Sequence, residues 1–142
     1  MPAFTITSRT RLATCHKDIQ TLFNEVIKTF DCVVLEGYRD EKAQEEAFKK
    51  GNTKVHWPNG KHNSMPSMAV DVSPYPVQWG NVSRFYWFGG YVMGIAQKLY
   101  EDGKITHKIR YGGDWDRDKE ISNNTFDDLV HFEISAIPHL YR

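Results

Sequence analysis

Two imidazoles and a carboxylate, widely spaced along the chain, have the makings of a metal centre. His62 and Asp71 lie nine residues apart at the two ends of one loop-like stretch, and His131 lies far downstream in Asp128-Leu129-Val130-His131-Phe132-Glu133. Catalytic zinc sites use three protein ligands and keep a position for water. The pKa of that water falls to about 7, so it attacks a carbonyl at neutral pH. A second carboxylate must take the water's proton and pass it to the leaving amine. Asp128, three residues before His131, is close enough in sequence to do this from a strand edge without being a ligand. Arg39, in Glu36-Gly37-Tyr38-Arg39, is a permanent cation. Its planar fork suits a substrate carboxylate or a developing oxyanion. On spacing alone each residue also has a plainer reading: His62 as a surface-loop histidine, Asp71 as a turn or strand-end carboxylate, His131 as a hydrogen-bonded core histidine, and Arg39 as half of a solvated salt bridge.

The elements that must position these groups are legible in outline. Ile19, Leu22, Phe23, Val26, Ile27 and Phe30 recur at helical spacing and predict a helix over roughly residues 13–30. Cys32–Leu35 predicts a buried strand ended by Gly37, and Glu41–Lys50 a second helix stopped at Gly51. Residues 52–67 are rich in Gly, Pro, Asn and Ser and read as a long loop, of a length that is usually functional or mobile. Met68–Val72 predicts a strand closed by Pro74 and Pro76. Residues 84–100 predict a third helix with a largely buried face. Its Gly89, Gly90 and Gly94 cost helix propensity and are read as admitting a second backbone. Ile109–Tyr111 and Leu129–Ile134 predict two strands around a polar, acidic loop, Gly112–Asp128. The order predicts a single α+β domain over residues 1–142, a small antiparallel sheet flanked by helices.

Composition narrows the function classes. Eighteen Lys and Arg balance eighteen Asp and Glu in 142 residues, so the net charge is zero. That balance argues against a nucleic-acid partner held by bulk positive charge and against a polybasic membrane binder. No apolar run approaches the roughly 20 residues of a membrane span, so no membrane insertion is expected. The N-terminal residues show no signal-peptide core. Cys15 and Cys32 have neither disulfide-framework nor zinc-ribbon spacing and read as reduced, partly buried thiols.

Several short motifs stand in a fixed order. They are Gly37-Tyr38-Arg39 with Gln44, then His62, Ala69-x-Asp71, Gly112-Gly113-Asp114-Trp115, and Asp128-x-x-His131-Phe132-Glu133. Together this series resembles the zinc D-Ala-D-Ala carboxypeptidase and VanY-like peptidase family, whose pattern is S-x-H-x-x-G-x-A-x-D followed by E/D-x-x-H. Within it the chain is most similar to the branch of phage L-alanyl-D-glutamate endopeptidases. There are departures. Gly60 stands where the family has Ser, Ser67 where it has Gly, and Asp128 where many members have Glu; the His-to-Asp spacing is nine rather than seven. The resemblance implies a Hedgehog/D-Ala-D-Ala-peptidase-like fold and one zinc ion on His62, Asp71 and His131. Asp128 would be the general base and Arg39 the substrate or oxyanion binder. Gln44, Ser67, Trp115 and Glu133 would bind substrate or support the ligands. The implied protein is a monomeric phage endolysin whose partner is bacterial peptidoglycan. It would hydrolyse the L-alanyl–D-glutamate bond of the stem peptide and lyse the host. It would wait in the host cytoplasm until a separate membrane-permeabilising protein released it to the wall. The alternatives are a D-Ala-D-Ala carboxypeptidase of the same fold and a non-catalytic wall-binding or virion structural module.

Other signals are weaker. Asp114, Asp116 and Asp118 alternate as oxygen ligands do at the start of a calcium loop, but Lys119 and Thr125 occupy the positions that an EF-hand gives to Gly and Glu. A looser calcium site and a solvated acidic loop both remain open. His16, His56, His107 and His139 fit no motif and read as surface residues, with His56 beside Trp57 also placed to line a cleft. Trp79, Phe85, Tyr86, Trp87 and Phe88 read as core, or as a wall that stacks on glycan or peptide.

Overall fold

The structure is a computed structural model that describes residues 2–115, 117–119 and 128–135. Its helices are α1 (Ile6–Leu12), α2 (Lys17–Val26), α3 (Glu41–Lys49) and α4 (Val82–Glu101). Its strands are β1 (Cys32–Glu36), β2 (Ala69–Pro74), β3 (Ile109–Tyr111) and β4 (His131–Ile134), with a 3₁₀ turn at Lys61–Asn63. The four strands form one antiparallel sheet in the order β1-β2-β4-β3.

Strand alternation divides this sheet into two faces. Val70 and Val72 of β2, Phe132 and Ile134 of β4, and Ile109 and Tyr111 of β3 enter the hydrophobic core. There they meet Ile19, Leu22, Phe23 and Val26 of α2 and Phe88, Val92, Ala96 and Leu99 of α4. Phe132 sits at the centre, its ring 5.4 Å from that of Phe23 and 4.9 Å from that of Tyr111. The intervening residues, Asp71 of β2, His131 and Glu133 of β4 and Arg110 of β3, fall on the other face. The register places Asp71 opposite His131 and Arg110 opposite Glu133. In β1 the register shifts between Val34 and Glu36, so that Glu36 lies opposite Asp71 instead of following Val34 into the core. A bulge of this kind re-aims one side chain.

Helix α1 has no counterpart in the apolar periodicity of the sequence. Its segment is rich in Thr, Ser and Arg and has only Ile6 and Leu12 as apolar positions. Thr5 caps it by accepting the Ser8 N–H. Tertiary contact explains its presence: Ser8 Oγ accepts the Val34 N–H at 3.0 Å and Arg11 Nη1 donates to the Val34 carbonyl at 3.0 Å. The outer edge of β1 is thereby covered, which a sheet edge requires. The helix expected over residues 13–30 is shorter, running from Lys17 to Val26. His16 Nδ1 caps it by accepting the Asp18 N–H, and Cys15 forms a bridge with Ser67 instead of a helical turn. Both cysteines are free and buried, and burial pushes each thiol up to about 12.

The glycines of α4 do not admit a second backbone. Gly89 lies against the Tyr111 ring, whereas Gly90 and Gly94 face open space. The aromatic cluster is divided: Phe85 and Phe88 are buried, but Trp79 and Trp87 are exposed.

Candidate metal centre

The polar face of the sheet gathers the residues whose chemistry was expected. Asp71 Oδ1 lies 3.2 Å from His62 Nε2 and 3.3 Å from His131 Nδ1. The three ligand atoms of this set are all within 4.8 Å of one another, and both histidines are buried. Asp71 and His131 meet because they are a cross-strand pair. His62 arrives from the 3₁₀ turn, which is anchored by an Arg39 N–H donating to the His62 carbonyl at 2.8 Å and by a Met68 N–H donating to the Lys61 carbonyl at 2.9 Å.

The far nitrogen of each ring is engaged. His62 Nδ1 lies 2.7 Å from the Gly37 carbonyl, to which it donates, and His131 Nε2 lies 2.9 Å from Glu133 Oε1. With a proton held there, His62 Nε2 and His131 Nδ1 are the nitrogens left to face an ion, which would displace any proton they share with Asp71. This is the outer support that metal-ligating histidines use. The donor set therefore fits a divalent ion of zinc type: two imidazoles and a carboxylate on one point, with tautomers fixed from behind.

The electrostatics favour positive charge at that point. Burial opposes ionisation of Asp71, but the two histidines outweigh it and hold its carboxyl far below the usual range. Burial likewise opposes a charged His131, yet hydrogen bonds to Asp71 and Glu133 push it up to about 10. Glu133 is drawn down to about 2, because His131, Arg110 and Lys61 outweigh its burial. Arg110 Nη2 lies 2.9 Å and Lys61 Nζ 3.8 Å from Glu133 Oε2.

Asp128 approaches from the side, with Oδ2 3.9 Å from His131 Nδ1. Burial and the charge of Asp71 push its carboxyl up to about 6. Its backbone is pinned by a 2.9 Å bond from its N–H to the Gly112 carbonyl and by the His131 N–H on its own carbonyl. A Cβ at Gly112 would meet the Asp128 carbonyl, so only glycine allows that approach. Arg39 lies opposite, its Nη2 3.0 Å from Glu36 Oε2 and 3.6 Å from Asp71 Oδ2. Trp115 packs against the His131 ring at 5.5 Å and under the Arg110 guanidinium at 5.0 Å.

Two of the residues expected to bind substrate or to support the ligands lie behind the site. Gln44 is buried and joins Arg39 Nη1, Asn63 Nδ2 and the Val55 carbonyl, so it holds Arg39 rather than facing a ligand. Ser67 is wholly buried, its hydroxyl donating to the Ala69 carbonyl at 2.6 Å, and it does not reach the cleft. Glu36, Lys61, Asn63 and Arg110 belong to the site, although no pattern in the sequence gives them a role there. Only the polar member of the Ile109-Arg110-Tyr111 alternation hinted at one of them. Of the alternating aspartates, Asp114 Oδ2 accepts the Lys119 N–H at 2.8 Å, and Asp116 lies outside the described residues, as does His139. His56 is exposed, stacking on Phe48 and pairing with Glu45.

An α+β domain with a buried His₂–Asp point, a flanking carboxylate and a flanking arginine is consistent with a metallopeptidase. The family of phage L-alanyl-D-glutamate peptidases matches residues 2–135, and the chain belongs to that family. It is thus a peptidase of the L-alanyl–D-glutamate bond. Among solved structures, the chain is similar to the Serratia marcescens L-Ala D-Glu endopeptidase ChiX, with a TM-score of 0.72 and 19% identity over 99% of this chain and 96% of that one. At that identity the likeness is one of fold. Comparison with curated protein sequences returns no match.

Proposed function

We propose that the chain is a zinc-dependent peptidase of bacterial peptidoglycan that cuts the stem peptide between L-alanine and D-glutamate. His62, Asp71 and His131 hold the ion. The convergence of their ligand atoms within 4.8 Å, on the polar face of the sheet, carries this reading. When bound, zinc supplies Lewis-acid polarisation of the groups that react.

The protein's own groups do the rest. Asp128 takes the proton of the attacking water and returns it to the leaving amine; its carboxylate flanks the ligand point and is fixed through its backbone. Arg39, held by Glu36 and Gln44, presents a fixed cation to the oxygen that gains charge, or to the glutamate carboxylate. Trp115 walls the site beside His131. Glu133 fixes the His131 ring.

In a phage setting this activity serves host lysis, with a separate protein opening the membrane. No helix among the described residues is long and apolar enough to cross a membrane. The decisive experiment is mass spectrometry of purified peptidoglycan digested with and without chelator and added zinc. The expected result is a cut after the first stem residue that chelation abolishes and zinc restores. Free D-alanine would make the chain a carboxypeptidase instead. Intact muropeptides in every tube would leave a module that binds without cutting.

A further inference from the structure

Among the described residues one other group could hold a metal ion: His16, Asp18 and His107. We propose that these three residues form a second site, for a first-row transition-metal dication such as Zn²⁺, which clasps the start of α2 to the connection that enters β3.

The geometry repeats that of the first centre. The His16 and His107 rings stand edge to face with centroids 5.2 Å apart, as do those of His62 and His131 at 5.2 Å. Ligand atoms of the three residues all lie within 4.8 Å of one another. The aspartate is buried and fixed. Asp18 Oδ2 accepts from the backbone N–H groups of Thr106 and His107, each at 3.0 Å, and from Thr106 Oγ1, and it lies 2.8 Å from His107 Nδ1. Among the described residues the hydrogen bonds to this carboxylate fall on Oδ2, so Oδ1 keeps its lone pairs. His16 Nδ1 accepts the Asp18 N–H, so that nitrogen carries a lone pair. An ion at this point would exchange the His16 cap bond and the contacts of His107 Nδ1 with Asp18 Oδ2, at 2.8 Å, and Thr106 Oγ1, at 2.9 Å, for metal–ligand bonds. The histidines are half-buried, with about a third of the His107 side chain exposed, so water can complete the coordination. Two imidazoles and one carboxylate select zinc, nickel or cobalt over magnesium or calcium.

The site also touches the framework of the first centre. The His16 N–H donates to the Ser67 carbonyl at 2.8 Å, just before β2, and His107 precedes β3. An ion here would brace the two ends of the sheet segment without joining in catalysis.

Zinc content after equilibrium dialysis, with thermal unfolding of the same samples, tests this. Wild type should hold two zinc ions per chain. His16→Asn retains a helix-capping side chain but removes the imidazole, and should hold one while keeping peptidase activity. His131→Ala should also hold one. Zinc at this site should raise the unfolding temperature: the second equivalent does so for wild type and not for His16→Asn, and the single equivalent does so for His131→Ala. His107→Asn should behave as His16→Asn and guards against a folding defect in either variant. One zinc in both wild type and His16→Asn, or two in His16→Asn, would overturn the second site. Loss of the His131-dependent ion bears only on the peptidase centre, so the two readings fail separately.

Discussion

At the residue scale, the division of labour between Asp128 and His131 is open to direct test. Asp128 lies 3.9 Å from His131 Nδ1 but is not one of the three convergent donors. Asp128→Asn should therefore bind zinc as wild type does and lose about 10²–10⁴-fold in turnover, the usual contribution of a general base. His131→Ala should lose the ion of this centre and the activity together. Metal analysis and muropeptide assays on both variants check this, and wild-type rates in Asp128→Asn would remove the base from its role. Glu133→Gln should weaken zinc binding by about 10–100-fold, as loss of outer support does at other metal sites; competition with a chromophoric chelator measures it. The three residues proposed as ligands were legible as candidates because their types and order stand in the sequence. Glu36 and Arg110 were not, because their roles come from cross-strand register and from a bulge that periodicity cannot show, and Lys61 was not, because a 3₁₀ turn brings it to Glu133. Ser67 misled for the opposite reason: it occupies a motif position, yet its hydroxyl is consumed by its own backbone turn.

At the scale of elements, the site depends on joints between strands and loops. Gly112 packs against the Asp128 carbonyl and shares a backbone bond with it. Gly112→Ala should displace the Asp128 segment, cutting turnover by more than tenfold while zinc binding persists; activity and metal content measured together would show this. A second joint is the Asp18 carboxylate, which fastens α2 to Thr106 and His107. Burial raises its pKa, but the bonds from His107 and Thr106 outweigh this and leave it lowered. A carboxyl lowered in the folded state contributes stability that is present above its unfolded pKa of about 4 and is lost as pH falls through the folded value. Asp18→Asn should accordingly be less stable than wild type at neutral pH, with the gap closing on acidification; urea unfolding across that range, in chelator, measures it. Strands and long helices were legible from apolar periodicity, since burial imposed it. Helix α1 was not, because its reason for existing is the free edge of β1 rather than its own sequence.

At the scale of the whole molecule, the two faces of the sheet do separate work, and metal removal exposes the separation. The core around Phe132 lies on the face away from His62, Asp71 and His131, and involves α2 and α4. A fold with such a core does not need an ion to form, unlike a zinc finger. The opposite face carries four carboxylates, Glu36, Asp71, Asp128 and Glu133, around one point, against Arg39, Arg110 and Lys61. An ion that binds only the folded chain at about a thousand times its dissociation constant adds about 4 kcal/mol. At about 2–4 °C per kcal/mol for a domain of this size, its loss should lower the midpoint by on the order of 10 °C. The cost is reduced where protonated His131 stands in for the ion, paired with Asp71 and Glu133. Chelation should thus abolish cleavage and lower the thermal midpoint while leaving the far-ultraviolet circular dichroism intact, with zinc restoring both. His16→Asn confines the measurement to the peptidase centre. Outright unfolding on chelation would mean that the core is not self-sufficient. An unchanged midpoint would mean that the polar face gains nothing from metal, and the ligand assignment would fall with it.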